Sequence, residues 1–225
     1  MRERGSPEND AAVRRWRGAD RLVRRPAADA YSKGMSTVEI EVKFPVADAA
    51  ELRQRLVRNG FHEETPRTFE RNILYDTRDR RLRSQQSILR VRNYGGKWKV
   101  THKCLPSNHD PAARHKHRDE TETSVQDGEA LGHIFTQLGY APSFVYEKWR
   151  TEYSDATGHC VLDETPIGVY AELEGPEDWI DATGQKLGVD SAQFSTLSYG
   201  RLFDVWREKT GSTAENLTFD EIPSH

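Results

Sequence analysis

Glu39, Glu41 and Lys43 alternate with Ile40, Val42 and Phe44 in the stretch Thr37-Val38-Glu39-Ile40-Glu41-Val42-Lys43-Phe44. Successive side chains of an extended strand point to opposite faces, so the charged groups share one face and Val38, Ile40, Val42 and Phe44 the other. Two carboxylates two residues apart on one face repel unless something positive stands between or opposite them. A divalent cation held by oxygen would serve, and Lys43 is a neutralising partner on the same strand.

The alternation recurs downstream. Leu89 and Val91 alternate with Arg90 and Arg92, and Trp98 and Val100 with Lys99, Thr101 and Lys103. One face carries Arg118, Glu120 and Glu122 in a fifth strand and Lys148, Arg150 and Glu152 in a sixth. His159, Val161 and Asp163 share a face in a seventh, and Tyr170, Glu172 and Glu174 in an eighth. Any one of these reads as an ordinary half-solvated strand. Across the set the charged positions hold Glu, Arg and Lys rather than the Thr, Ser and Gln of an open face, and acids and bases favour different strands. A sheet curled until these faces converge would set carboxylates against ammonium and guanidinium groups, and about eight strands close a barrel around a small ligand.

Such an interior keeps its charge only if the charges compensate one another or a ligand completes them. Arg90, Arg92, Lys103, Lys148 and Arg150 exceed what a simple carboxylate needs, and the guanidinium fork matches phosphate oxygens. Glu39, Glu41, Asp163, Glu172 and Glu174 offer hard oxygen donors suited to Mg²⁺ or Mn²⁺ rather than zinc. Polyphosphate with a divalent metal is the chemistry the pattern supports.

The elements that must position these groups follow from punctuation. Asp48 caps a helix running to about Asn59, with Leu52, Leu56 and Val57 on its buried face and Gly60 as its stop. Strands are expected over 69–76, 88–93, 98–103, 117–125, 144–154, 160–163 and 168–174, with Tyr94-Gly95-Gly96-Lys97 as a hairpin turn and 105–116 as a polar loop. Asp127 caps a helix whose buried stripe is Leu131, Ile134, Phe135 and Leu138, ended by Gly139. Further helices cover about 176–187 and 199–209. The short sequential turns favour an antiparallel meander.

Of the 225 residues, 35% are hydrophobic and 31% charged, which calls for polar ends, an interior that encloses charge, or both. Residues 1–34 carry nine basic and five acidic groups, a net +4, and read as a disordered basic arm; Met35 is an alternative start. Residues 35–211 read as one domain and 212–225 as a flexible tail. The formal charge of -3 gives no global case for nucleic acid or an anionic membrane, and no apolar run suits a bilayer or a secretory signal, so a cytoplasmic protein is expected. Cys104 and Cys160 lack metal or redox spacing. His109 and His115-Lys116-His117 sit in a polar stretch with no Cys or acidic partner set beside them, which argues against zinc. Trp98, Trp149 and Tyr75 fall on apolar faces and read as packing groups.

Glu39-Ile40-Glu41-Val42-Lys43 matches the ExExK signature of the CYTH family, the triphosphate tunnel metalloenzymes, and the chain resembles that family from about Val38 to Arg207. The other matching stretches include Tyr75-Asp76-Thr77, Leu89-Arg90-Val91-Arg92, Glu120-Thr121-Glu122, Lys148-Trp149-Arg150, Leu162-Asp163, Glu172-Leu173-Glu174 and Ser198-Tyr199. The resemblance implies an α+β, mainly β, fold: an eight-stranded antiparallel tunnel with helices outside. It implies metal held by Glu39, Glu41, Glu172 and Glu174, and triphosphate gripped by Lys43, Arg90, Arg92, Lys103, Lys148 and Arg150. Asp163 and Glu122 would line the tunnel as metal ligands or as partners of the basic groups, and Glu41, Lys43 and Glu122 would serve the chemistry. The expected substrates are tripolyphosphate, ATP or thiamine triphosphate, hydrolysed or, in a class IV adenylyl cyclase, cyclised; a non-catalytic polyphosphate-binding module is a third reading. A homodimer is left open. Leu74 stands where animal thiamine triphosphatases carry a tyrosine, and Asn72 where many class IV cyclases carry an aspartate.

Overall fold

A computed structural model describes residues 37–108, 110 and 112–223. The basic arm expected over 1–34, and His109, lie outside the described residues. The chain forms β1 (Thr37–Pro45), α1 (Ala49–Arg58), β2 (His62–Thr77), α2 (Arg81–Ser84), β3 (Ile88–Tyr94), β4 (Lys97–Cys104), β5 (Lys116–Val125) and α3 (Gly128–Gln137). There follow β6 (Tyr140–Ser154), β7 (His159–Thr165), β8 (Gly168–Glu174), α4 (Glu177–Lys186) and α5 (Tyr199–Thr210).

The eight strands close into an antiparallel barrel in the order β1-β5-β4-β3-β2-β6-β7-β8. The expected meander is thus two meanders, β2 to β5 and β6 to β8, joined along the long β2–β6 pair. β1 does not pair with its successor. The connection through α1 frees it to close the ring between β5 and β8. Gly95 and Gly96 take φ of 56° and 82°, the left-handed pair that a two-residue hairpin between β3 and β4 requires.

The apolar strand faces point outward, so the hydrophobic core lies between barrel and helices. Val42, Phe44, Leu162, Ala171 and Leu173 pack with Leu52, Leu56, Ile180 and Leu187. Val57, expected beside Leu52 and Leu56, is instead 64% exposed, because α1 buries only a narrow stripe. The α3 stripe also differs from expectation. Ile134 and Leu138 are exposed, and the buried residues are Gly128 and Gly132. A Cβ on Gly128 would stand 2.1 Å from the Trp98 ring, and one on Gly132 2.2 Å from the Tyr75 hydroxyl. Close approach over two aromatic rings selects the glycine face and turns Ile134 and Leu138 away.

Residues 212–223 are not a loose tail. Leu217 is fully buried, and with Ile222 it joins Tyr146, Tyr199 and Phe203 in a second core. Val145 O accepts from Leu217 N–H at 3.0 Å and Leu217 O from Glu147 N–H at 2.9 Å, while the Asn216 side chain accepts from Val145 N–H at 2.9 Å. β7 pairs with β6 only from Trp149 onward, and this strap serves the backbone groups that β7 leaves open. Isolated apolar residues in a polar stretch give no period, so the sequence carried no sign of it. Leu217→Ala should lower stability by about 2–5 kcal/mol, read as a lower denaturation midpoint; an unchanged midpoint would show that the strap contributes nothing.

Candidate functional site

The inward residues of the strands meet in a charged tunnel. β1 supplies Glu39, Glu41 and Lys43; β8 supplies Glu172 and Glu174; β3 supplies Arg90 and Arg92. In a ring of eight strands β3 stands four places from β8, so the arginine wall faces an acidic one.

Fully buried Asp163 organises one part of the tunnel. It accepts from Arg150 Nε at 2.7 Å, Arg150 Nη2 at 2.6 Å, Lys148 Nζ at 2.8 Å and the Tyr199 hydroxyl at 2.6 Å. Glu172 accepts from Arg150 at 2.8 Å and pairs with Lys43. Although burial disfavours its charge, Lys43, Arg150 and Lys148 hold its carboxyl well below the ordinary range. The ammonium groups of Lys43 and Lys148 stand 4.2 and 4.7 Å from the centroid of the Tyr199 ring. Tyr199 is the first residue of α5, so the helix is tied to the tunnel through its opening residue.

Glu70, also fully buried, lies 3.5 Å from Lys148 and 3.7 Å from Arg92, and accepts from Asn72 at 2.8 Å. Burial pushes its carboxyl upward, but Lys148, Arg150, Arg92 and Arg90 together hold it down at about 2. Arg92 donates to Glu122 at 3.0 Å, and Glu122 also accepts from Lys99 at 2.6 Å and Thr101 at 2.8 Å. Arg90 has weaker ties: the Tyr146 hydroxyl at 3.3 Å, Thr101 at 3.2 Å, and Glu122 at 3.8 Å. Arg90 Nε and Arg92 Nε are buried donors without a protein partner. Unserved donors on neighbouring guanidinium groups suit an anion with several oxygens.

A different imbalance marks the acidic side. Glu41 stands directly opposite Glu174 in the β1–β8 ladder, where like charges destabilise. Glu174 stands exposed at the end of β8, where partial desolvation, with Glu39 and Glu41, pushes its carboxyl up to about 7. Burial and Glu41 likewise raise Glu39, although Lys103 bridges it at 2.5 Å and Glu120 at 2.8 Å. Glu41, paired with Lys116, is held at about 2 against burial by that lysine with Lys43 and Lys103. Glu39, Glu41 and Glu174 thus offer only oxygen donors, the chemistry that suits Mg²⁺ or Mn²⁺, but in this conformation, among the described residues, no three carboxylates or imidazoles are arranged around a metal position. Lysine and arginine engage both oxygens of Asp163 and of Glu172, and Lys103 engages both oxygens of Glu39, so each of these three would have to give up a cation to bind metal.

Of the residues expected in the tunnel, Glu39, Glu41, Lys43, Arg90, Arg92, Lys103, Glu122, Lys148, Arg150, Asp163 and Glu172 take part in its ion pairs, whereas Glu174 and His159, at strand ends, are exposed. Glu70, Lys116 and Tyr146 join them without a sequence motif that names them, as does Tyr199, which belongs to a stretch matching the family but carries no expected site role. Glu70 lies two residues before Asn72 on the same strand face, a signal that alternation carries. Lys116 opens β5, one residue before the strand start expected at 117. The reach of Tyr199 into the tunnel depends on where α5 docks, which no local pattern encodes. Asp76 turns out to cap α2, accepting from the Leu82 and Arg83 N–H groups at 2.8 and 3.0 Å. Trp98 and Tyr75 pack beneath α3, and Trp149 packs on Phe69.

Asp163→Asn strips two buried cations of their shared partner and should cost about 3–5 kcal/mol of stability in a denaturant titration. Glu70 titrates lower in the folded chain than its ordinary 4.5, so its contribution is present above that value and fades as pH falls toward about 2. Glu70→Gln should flatten the acid limb of a stability–pH curve, and an unchanged limb would refute the assignment.

The CYTH domain matches residues 37–183. A Methanocaldococcus jannaschii protein named as a candidate adenylate cyclase is 28% identical over 138 residues, 61% of this chain and 76% of that protein. A solved structure from Vibrio parahaemolyticus, also named as a candidate adenylate cyclase, aligns with a TM-score of 0.62 at 18% identity, covering 76% of this chain and 99% of that one. A Hippeastrum protein, named as a candidate adenylyl cyclase with a dominant triphosphatase activity, aligns at 0.54 and 17% identity over 76% and 96% of the two chains. At such identities the two structures attest the fold. Among the described residues no helix is long and apolar enough to cross a membrane. With the domain match spanning more than half of its length, the chain belongs to the CYTH domain family.

Proposed function

We propose that the chain is an enzyme that hydrolyses a triphosphate inside the tunnel with Mg²⁺ or Mn²⁺ as cofactor. The observation that carries this reading is the pair of unserved buried donors, Arg90 Nε and Arg92 Nε, on a wall that faces Glu172 and Glu174. Arg90 receives the phosphate oxygens first, because its nearest carboxylate, Glu122, is 3.8 Å away, and Arg92 joins it by sharing its contact with Glu122. Lys43, Lys103, Lys148 and Arg150 complete the grip by exchanging part of their contact with Glu39, Asp163 and Glu172 for the incoming anion. Glu39, Glu41 and Glu174 would hold the metal, which when bound would supply charge neutralisation to the phosphate oxygens.

Glu122 is ionised below its ordinary range, where Lys99, Arg92 and Thr101 overcome burial, and it stands beside Arg92. In this reading it accepts a hydrogen bond from the water that attacks the terminal phosphorus, the proton lost by that water leaves on the orthophosphate formed, and Glu41 would stay among the carboxylates that hold the metal. The bond to the bridging oxygen breaks, and the charge left on the diphosphate is met by the lysine and arginine side. Positioning and charge neutralisation supply most of the rate, as in phosphoryl transfer generally.

The 28% identity to a protein named as an adenylate cyclase candidate favours a second reading. There the same grip aligns a ribose 3′-hydroxyl with the α-phosphorus of ATP and releases pyrophosphate as cyclic AMP forms. Tripolyphosphate and ATP, each offered with Mg²⁺ or Mn²⁺, separate the two: orthophosphate marks hydrolysis and cyclic AMP marks cyclisation. Turnover of neither substrate, with binding retained, would leave a binding module. Glu41→Gln and Glu174→Gln should abolish metal-dependent turnover with the fold intact; if activity survives both, the metal assignment fails. Arg90→Ala should lower kcat/KM by about 10- to 100-fold, the loss of a charge-assisted hydrogen bond.

A further inference from the structure

Lys43 is held twice by the segment that leads into α5. The ladder between β1 and β5 ends at Glu41, and beyond it Ser195 takes the open backbone groups: Lys43 N–H donates to Ser195 O at 2.9 Å and Ser195 N–H to Lys43 O at 2.7 Å. Tyr199 follows, the centroid of its ring 4.2 Å from Lys43 Nζ and 4.7 Å from Lys148 Nζ. Its hydroxyl donates at 2.6 Å to Asp163 Oδ2, the oxygen that Lys148 also engages, at 2.8 Å. The ring is fixed in turn by Tyr146, stacked at 5.9 Å between centroids, and by Tyr170, edge-on at 6.1 Å. Ser198 caps the helix by accepting from Arg201 N–H, and Phe203, one turn beyond Tyr199, stacks on Phe144.

We propose that Tyr199 is a positioning residue that keeps Lys43 and Lys148 against one ring, ready to exchange their carboxylates for phosphate. The inference rests on the reading of the tunnel as a triphosphate site. Each lysine grips an incoming anion only by loosening a contact, Lys43 with Glu172 and Lys148 with Asp163. A buried ammonium released from its carboxylate needs a second partner, and one without charge does not compete with the anion. The face of a phenol ring is such a partner, since its quadrupole attracts a cation without neutralising it. Asp163 has the complementary need. As Lys148 turns away, the Tyr199 hydroxyl and the Arg150 guanidinium stay on it, so the buried carboxylate keeps its donors. Burial, with the carboxylates of Asp163 and Glu172, holds the phenol well above its ordinary range, so Tyr199 stays a neutral donor and is no base in the reaction.

Because Ser195 fixes the backbone of Lys43 while Tyr199 meets its ammonium group, one short segment holds both ends of the residue. Ser198-Tyr199, a stretch that matches the family, thus serves the grip through two lysines and Asp163 without touching phosphate itself.

The test measures, by calorimetry on the full chain with saturating Mg²⁺, the affinity for imidotriphosphate, whose P–N–P links resist hydrolysis. Failure of the wild-type chain to bind it sinks the triphosphate reading and this inference with it; the variants test the inference alone. Tyr199→Leu should weaken binding by about 5- to 30-fold, the loss of ring contacts to buried ammonium groups. Tyr199→Phe, which keeps the ring and loses one hydrogen bond, should stay within about threefold of wild type. Should circular dichroism show Tyr199→Leu unfolded, Tyr199→Met carries the same expectation. In a Lys43→Met background the effect of Tyr199→Leu should shrink, because one of the two groups it acts through is gone, whereas a purely structural role would give the same factor in both backgrounds. Equal losses in the Phe and Leu variants, an undiminished effect in the Lys43→Met background, or wild-type affinity in Tyr199→Leu overturns the proposal.

Discussion

The rest of the structure depends on the neutralisation of Asp163. A carboxylate with no exposure to solvent must be met by cations and donors or it will not stay ionised. Lys148, Arg150 and Tyr199 meet it from β6 and α5, and Arg150 carries the network on to Glu172. These contacts set the positions of the lysines and arginines before any anion arrives. The tunnel is therefore preorganised by its acids as much as by its bases, since most of its basic side chains are already held by a carboxylate on a neighbouring strand.

This arrangement reverses the usual placement of apolar and polar groups. The barrel interior is ionic, and the apolar faces of the strands look outward, where α1, α4 and α5 cover them. Helix contacts thus decide how tightly the wall is held, which explains the glycine face of α3: Gly128 and Gly132 let the helix approach Trp98 and Tyr75 closely. Ion pairs inside give little net stability once desolvation is counted, so the outer apolar layer carries the fold and the inner layer carries the chemistry.

Much of this was legible from period-two alternation. Glu39, Glu41 and Lys43, and then Arg90 and Arg92, identify inward faces without any knowledge of the partner strands. Pairing was not legible, because the closure of β1 against β5 and β8 depends on contacts between distant segments. For the same reason Glu70 showed its face but not its cations, and Glu177 and Asp181 showed a helix but not His117 and His115, which they meet. The strap at Leu217 and the glycine face of α3 were missed because each depends on the shape of the surface beneath it. Leu131, Ile134, Phe135 and Leu138 form a plausible apolar stripe until Trp98 and Tyr75 are in place.

The closure of β1 has a consequence for how the chain folds. Its partner Glu172 lies 129 residues beyond Lys43, and α5, which carries Tyr199 to Asp163, comes later still. During synthesis β1 emerges ahead of the other seven strands and waits with its carboxylates in water until β8 has left the ribosome. The hairpins from β2 to β5 can form meanwhile, each from local contacts. Ring closure is the non-local, slow step of high contact order, and desolvation of the charged interior is deferred until nearly every compensating group is present.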